Sequence, residues 1–293
     1  MKEAYINAKI LDPEKNEEYV GDIVIEKDKI NVLWMHHFVN QKEAENLGSK
    51  DFVNKLDWIV YNSNWNFEKH VYQFKIPENK SMVIKNAIEK IDFVEKPKDK
   101  INLIYHTTPW RGLVHLLKVF KSLNLTNVVL NVCSSTIIYG KKFDSVLGKK
   151  YEGIFNECKN TKNVNYLGFL ENKKIIELLK KMHIFAHPSI WPETSCVAAI
   201  EAMAAGCETV TTNLGALYET CSPFGTFVNF DRNFDNLEKR YSKVLSNSIK
   251  NYWSDENQNK LKLQRESINA TYSWDVRSIE WKNFFNEARE LKV

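Results

Sequence analysis

Short apolar blocks alternate with amphipathic stretches along most of this chain. Residues 30–35, 58–61, 82–84, 101–105, 128–133, 184–186 and 207–212 are apolar or β-branched runs of strand length. Between them lie helix-compatible segments at 42–54, 65–73, 151–158 and 173–181, and Leu113, Leu116, Leu117 and Phe120 recur at helical spacing. Strand-helix alternation of this kind predicts parallel sheets built from βαβ units, with the functional loops leaving the carboxyl ends of the strands. The two ends of the chain depart from the pattern. Residues 5–11 and 22–26 read as strands, with a turn at 27–29 leading into the apolar run from residue 30, whereas 237–245 and 257–270 read as helices. Tyr272-Ser273-Trp274-Asp275 then caps a last helix running to residue 291.

The stretch 187–220 concentrates the candidate chemistry. Pro188 and Pro192 keep its start irregular, Thr194 or Ser195 caps a helix through residue 205, and Gly206 ends that helix. A short strand over 207–212 comes next, broken by Asn213-Leu214-Gly215. Glu193 and Glu201 bracket the helix start. Their spacing alone says little, since Glu18 and Glu26 repeat it in another setting. The residue types say more. Amides at a helix N-terminus, here those of Thr194, Ser195, Cys196 and Val197, suit a diphosphate, and a carboxylate can accept hydrogen bonds from neighbouring sugar hydroxyls. Ala198, Ala199, Ile200, Ala202 and Met203 around Glu201 predict a buried helix.

As a whole, Pro188-Ser189, Glu193, Thr194-Ser195, Glu201-Ala202-Met203-Ala204, Gly206 and the loop from Gly215 to Glu219 resemble the donor-site signature of retaining family-4 glycosyltransferases of the GT-B fold. That resemblance implies that Glu201 binds the nucleotide ribose, Glu193 the hydroxyls of the transferred sugar, and the helix amides the diphosphate. The loop His106-Thr107-Thr108-Pro109-Trp110-Arg111-Gly112 is similar to the family's R-x-x-P-x-K-G-L, with Arg111 at the lysine position and His106 at the arginine position. Arginine binds phosphate bidentately, and histidine is a weaker substitute at neutral pH. Leu167-Gly168-Phe169-Leu170 resembles a segment that lies under the base, so Phe169 either stacks there or packs in the core. Nearer the N-terminus, the pair His36-His37, residues 57–65 and residues 84–89 resemble the later half of an acceptor-side domain, with Ala87 and Glu89 in place of Gly and Asp. His37 either lines the cleft near the transferred sugar or is a satisfied strand-end histidine. The family's first βαβ units and Gly-rich loop have no counterpart, the chain's first glycine being Gly21. Residues 1–30 instead resemble the β segment that opens dihydroorotase-type amidohydrolases, yet the adjacent His36-His37 do not form the H-x-H metal motif of those enzymes.

The expected fold is therefore α/β and GT-B-like, with two Rossmann-like domains on parallel sheets and the N-terminal one shortened. Expected bounds are 1–30 for a β-hairpin segment, 31–96 for the partial acceptor-side domain, 97–265 for the nucleotide-sugar-binding domain and 266–293 for a helix crossing back. The charged, Pro97-containing run 93–100 reads as the linker. Composition narrows the partners. Two domains fit 293 residues, and a net charge of +4 is too mild for nucleic acid. It suits an anionic donor or peripheral contact with an anionic membrane. Five scattered cysteines act as small apolar residues, no D-x-D metal site is present, and Asp231 and Asp235 are wrongly spaced for one. With no membrane span or signal-peptide pattern, the expected location is cytoplasmic.

The expected activity is metal-independent hexosyl transfer from a nucleotide diphosphate sugar to an acceptor hydroxyl, with retention of configuration and no cofactor beyond the donor. Glu193, Arg111 and His37 are its expected catalytic positions, the first two acting in donor positioning and leaving-group stabilisation. The acceptor, a glycan, a lipid-linked molecule or a small molecule, stays open, as does a homo-oligomer. Two alternatives remain: a nucleotide-sugar binding protein or incomplete subunit needing a partner, and a hydrolase read from the first 30 residues.

Overall fold

The structure, a computed structural model, describes residues 3–12 and 17–25 as backbone and residues 29–291 with side chains, those of Tyr139 and Lys142 excepted. The chain divides into two compact units, Met1–Lys85 with Arg277–Val293, and Asn86–Val276. Among the described residues no helix is long and apolar enough to cross a membrane.

In the first unit, β1 (Glu3–Asp12) and β2 (Glu17–Ile25) form an antiparallel hairpin. The turn read at 27–29 falls largely on residues outside those described. A separate parallel sheet joins β3 (Val32–Met35), β4 (Trp58–Tyr61) and β5 (Ser81–Val83) in that order. Successive β4 side chains point to opposite faces. Ile59 and Tyr61 enter a core with Met35, Leu47, Val53 and Ile76, while Val60 joins Ile84, Phe284 and Ala288. Phe284 and Ala288 lie on α10 (Trp274–Glu290). The helical stretch read at 42–54 is split, because Gly48-Ser49 interrupts it. A 3-10 segment over Lys42–Gly48 gives way to α1 (Lys50–Lys55), which Ser49 caps by accepting from the Phe52 N–H. Ser63 likewise caps α2 (Asn64–Phe74).

The second unit carries α3 (Leu113–Leu123) after β6 (Ile101–Tyr105), then β7 (Val128–Val132), α4 (Lys141–Asn160), β8 (Val164–Tyr166), α5 (Asn172–Leu179) and β9 (Ile184–His187). It continues through α6 (Val197–Ala204), β10 (Glu208–Thr212), α7 (Leu217–Cys221), β11 (Thr226–Val228), α8 (Phe234–Asn251) and α9 (Asp255–Thr271). All six strands are parallel, in the order β11-β10-β9-β6-β7-β8. This is the doubly wound arrangement, whose order reverses between β6 and β9. The strand periodicity again builds both faces. Leu103, Tyr105, Ile184 and Ala186 enter one core with α3 and α8, whereas Ile104 and Phe185 enter the other with α5, α6 and α9.

Two stretches differ from the sequence reading. Helix α4 begins ten residues before the segment read as helical at 151–158, with Phe143 and Tyr151 packed 6.0 and 5.7 Å from Trp110. The run 93–100, read as a linker, is built into the second unit. There Lys96, only 6% exposed, donates from Nζ to the Leu179 and Ala205 carbonyls at 2.9 and 2.8 Å.

Candidate functional site

Where the strand order reverses, the loops after β6 and β9 leave side by side, and ligands bind such sheets at that point. The β6 loop is stiffened from within: Tyr105 Oη donates to the Thr108 carbonyl at 2.7 Å, and the Arg111 N–H donates to the same oxygen. Gly112 comes next with φ +122, and a Cβ there would fall 2.2 Å from the Pro188 carbonyl oxygen. Only glycine lets the Arg111 loop pass so close to the β9 loop.

The β9 loop is held from the other side by β10 and α7. Thr211, Thr212 and Thr220 hydroxyls donate to the carbonyls of His187, Ser189 and Ser195 at 2.8, 2.8 and 2.5 Å. Glu193 is clamped by Gly215, which pairs with it as a parallel bridge, and the Ala216 N–H donates to the Glu193 carbonyl at 2.7 Å. Gly215 has φ +69, and a Cβ there would lie 2.5 Å from Glu193 O and 2.6 Å from Glu193 N. The glutamate backbone is thus fixed before any ligand arrives.

Its side chain meets Arg111. Nη1 of Arg111 donates to Glu193 Oε2 at 2.5 Å, with the arginine side chain 24% exposed and the glutamate side chain 4% exposed. Burial pushes the Glu193 carboxyl up, and the guanidinium pulls it back. The other oxygen, Oε1, has no hydrogen-bond partner among the described residues. His187 Nε2 stands 3.9 Å from it, beyond hydrogen-bond reach, and both ring nitrogens of this buried histidine also lack partners. Burial, helped by Arg111 and His106, lowers His187 to about 3, so its imidazole is neutral across the physiological range.

Helix α6 starts later than the sequence suggests. Neither Thr194 nor Ser195 caps it: Cys196 occupies that position in a left-handed conformation at φ 77, without a side-chain capping bond. Ser195 and Thr220 instead fasten the turn that precedes it. The first bond into α6 is from the Ala199 N–H to the Cys196 carbonyl, leaving the Val197 and Ala198 amides in its first turn ahead of that bond. Ser195 and Cys196 are buried, Thr194 is half-buried and Val197 is exposed. Burial also raises the Cys196 thiol well above its usual range, so this residue fills space as a neutral side chain.

Glu201 sits on α6 at 8% exposure, and Asn172 Nδ2 at the start of α5 donates to its Oε1 at 2.8 Å. Burial raises the Glu201 carboxyl and the Asn172 bond lowers it. His106 does not bring a second positive charge. Its ring packs 4.8 Å from Phe185, its Nε2 is shut off from solvent, and burial lowers it to about 4. Phe169 is 48% exposed and comes after Gly168 at φ 66, so it is not a core residue. His37, half-buried just after β3, belongs to the other unit.

The sequence reading therefore brought Arg111, Glu193 and Glu201 into play, whereas His187 and Asn172 went unassigned. His187 was legible only as the first residue after the strand read at 184–186, whereas it ends β9. Asn172 lies just outside the helix read at 173–181, and its bond to Glu201 spans 29 positions.

Comparison with known proteins adds a family. The model of the family described as Glycosyl transferases group 1 matches residues 85–262. An uncharacterised 41.2 kDa protein in the cps region of Klebsiella pneumoniae is 23% identical over 231 residues, covering 71% of this chain and 60% of that protein. An uncharacterised glycosyltransferase of Methanocaldococcus jannaschii is 26% identical over 241 residues, covering 74% and 57%. The chain thus spans somewhat over half the length of these relatives. Among solved structures, Anabaena HepE in complex with UDP and glucose is similar with a TM-score of 0.68 at 14% identity, over 88% of this chain and 72% of that one.

Proposed function

The chain belongs to the group 1 glycosyl transferases, and from that premise we propose that it moves a hexose from a nucleotide diphosphate sugar to an acceptor hydroxyl, with retention of configuration and without a metal. Its α/β fold, with Rossmann-like parallel sheets, is of the GT-B type. The observation that carries the reading is the Arg111–Glu193 pair at the sheet's switch point, beside the first turn of α6.

Each part has a role in breaking the bond between the sugar and the diphosphate. Negative charge grows on the departing diphosphate, and the Arg111 guanidinium and the first amides of α6 supply fixed positive potential for it. Glu193 accepts hydrogen bonds from sugar hydroxyls and so orients the anomeric carbon. Glu201 receives the ribose hydroxyls, and Phe169 offers an exposed ring to the base. His106, neutral where the family signature has arginine, leaves Arg111 as the cation of this loop. Neither glutamate serves as a covalent nucleophile here. HepE, solved with UDP and glucose, supports a nucleotide-linked hexose as the donor class.

Isothermal titration with UDP and GDP, followed by transfer assays with the corresponding sugar donors, tests the proposal. Binding that is abolished by Glu201→Ala, with a product whose anomeric configuration by NMR matches the donor, is expected. Inverted product removes retention, and unchanged affinity in the variant removes Glu201 from the ribose. A second reading is favoured by the family match lying on residues 85–262, almost all within the second unit: a donor-binding subunit that needs a partner for transfer. Donor binding without hydrolysis or transfer under any acceptor screen would select it.

A further inference from the structure

Among the described residues Glu201 has one hydrogen-bonding side-chain partner, and that partner stands on a different helix. Asn172 Nδ2 reaches Glu201 Oε1 at 2.8 Å from the first position of α5. An ionised carboxylate only accepts, so the amide must present its NH2 group, and this fixes both the Asn172 flip and the carboxylate plane. Among the described residues no hydrogen bond reaches Oε2 of Glu201.

The helix behind Asn172 is itself anchored. At its far end, Lys96 Nζ binds the Leu179 carbonyl and, with the same ammonium, the Ala205 carbonyl just past the end of α6. Two helix C-termini, each with partial negative charge, thus share one buried cation. Gln264 from α9 adds bonds to the Met203 and Cys207 carbonyls, at 3.1 and 2.8 Å. The two helices are tied at the Lys96 end, and the Asn172–Glu201 bond ties them again near the site. Helix α5 works as a strut whose tip sets one carboxylate.

We propose that Asn172 is a positioning residue that makes this site select ribonucleotides: by holding Glu201 Oε1, it aims Oε2 and the remaining lone pairs at the 2′ and 3′ hydroxyls of the donor's ribose. The proposal rests on the reading of Glu201 as the ribose ligand and goes beyond it by assigning the selectivity to a residue on α5. A carboxylate without this bond would rotate among its χ3 positions, and the diol would lose its fixed pair of acceptors.

The test is a cycle between the side chain and the ligand. Affinities of the full chain for UDP and for 2′,3′-dideoxy-UDP are measured by titration for wild type, Asn172→Ala and Asn172→Asp. Wild type is expected to prefer UDP, Asn172→Ala to weaken UDP about tenfold with little change for the dideoxy compound, and Asn172→Asp to weaken UDP further, since two carboxylates then face each other. Asn172 is exposed, so both variants should fold, which a matching Tm checks. Equal losses for both ligands in Asn172→Ala would mean mere structural support and would overturn the proposal, as would no loss at all. If wild type binds UDP but does not distinguish it from the dideoxy compound, Glu201 is not the ribose ligand, and both readings fall together.

Discussion

Arg111 Nη1 meets Glu193 Oε2 at 2.5 Å across the point where the sheet order reverses, joining two loops that lie 82 residues apart in the chain. The arginine side chain is partly exposed and the glutamate is buried, so the two depend on each other unequally.

Arg111→Ala should therefore cost about 3 kcal/mol of stability at neutral pH, because it leaves a buried carboxylate uncompensated. The cost has a sign in pH. With its cation gone, the Glu193 carboxyl rises further above its unfolded value, and stability falls as pH climbs through that folded value. Urea unfolding at pH 5 and pH 8 should show a larger difference in the variant than in wild type, and Glu193→Gln in the same background should remove most of it. A variant with an unchanged pH slope would show that the pair is not coupled.

Gly215→Ala should damage the site through backbone alone. A Cβ 2.5 Å from Glu193 O, at φ +69, forces the clamp open, and the φ alone costs about 1–2 kcal/mol. Donor affinity and Tm should fall together. Gly153→Ala is the control: it lies within α4 with nothing within 4 Å of the new Cβ, so it should be neutral or stabilise by about 0.5–1 kcal/mol.

Acid should unfold the second unit through its buried histidines. Burial lowers His187 to about 3 and His183 to about 4, so each favours the folded state while neutral. Their contribution is fully present above the unfolded value near 6.5 and is lost as pH falls toward the folded values, on the order of 2 kcal/mol each by pH 5. Imidazole NMR shifts that titrate near 6.5 in the folded protein would refute this.

Lys96→Met should loosen the ends of α5 and α6, since it removes the donor to two buried carbonyls. Hydrogen exchange should quicken at Gly206 and Cys207, and stability should drop by about 2–4 kcal/mol. Unchanged exchange there would show that Lys96 carries no such support.

The elements that could be read in advance came from periodicity. Apolar blocks such as 58–61 and 101–105 became strands with those bounds, because a buried parallel strand must be apolar on both faces. The short strand β11 and helix α7 were invisible, their three and five residues carrying no period. The start of α6 was misplaced because Cys196, not a capping hydroxyl, takes the left-handed position. The burial of Glu201 could be expected, since apolar and small residues surround it in the sequence. The surroundings of Asn172 and His187 could not, because they come from contacts that only the folded chain creates. Lys96 misled for the opposite reason: charge marked a linker, whereas its ammonium is spent on helix ends inside the second unit.

The contact between Gly112 and Pro188 bears on redesign. A loop carrying any side chain at position 112 would collide with the Pro188 carbonyl, 2.2 Å from the new Cβ. Transplanting residues 106–112 from a relative, while keeping this chain's 188–196, should therefore succeed only where the incoming loop keeps glycine at 112. The two loops form one exchangeable cassette, and libraries that vary them jointly are those expected to recover new donors.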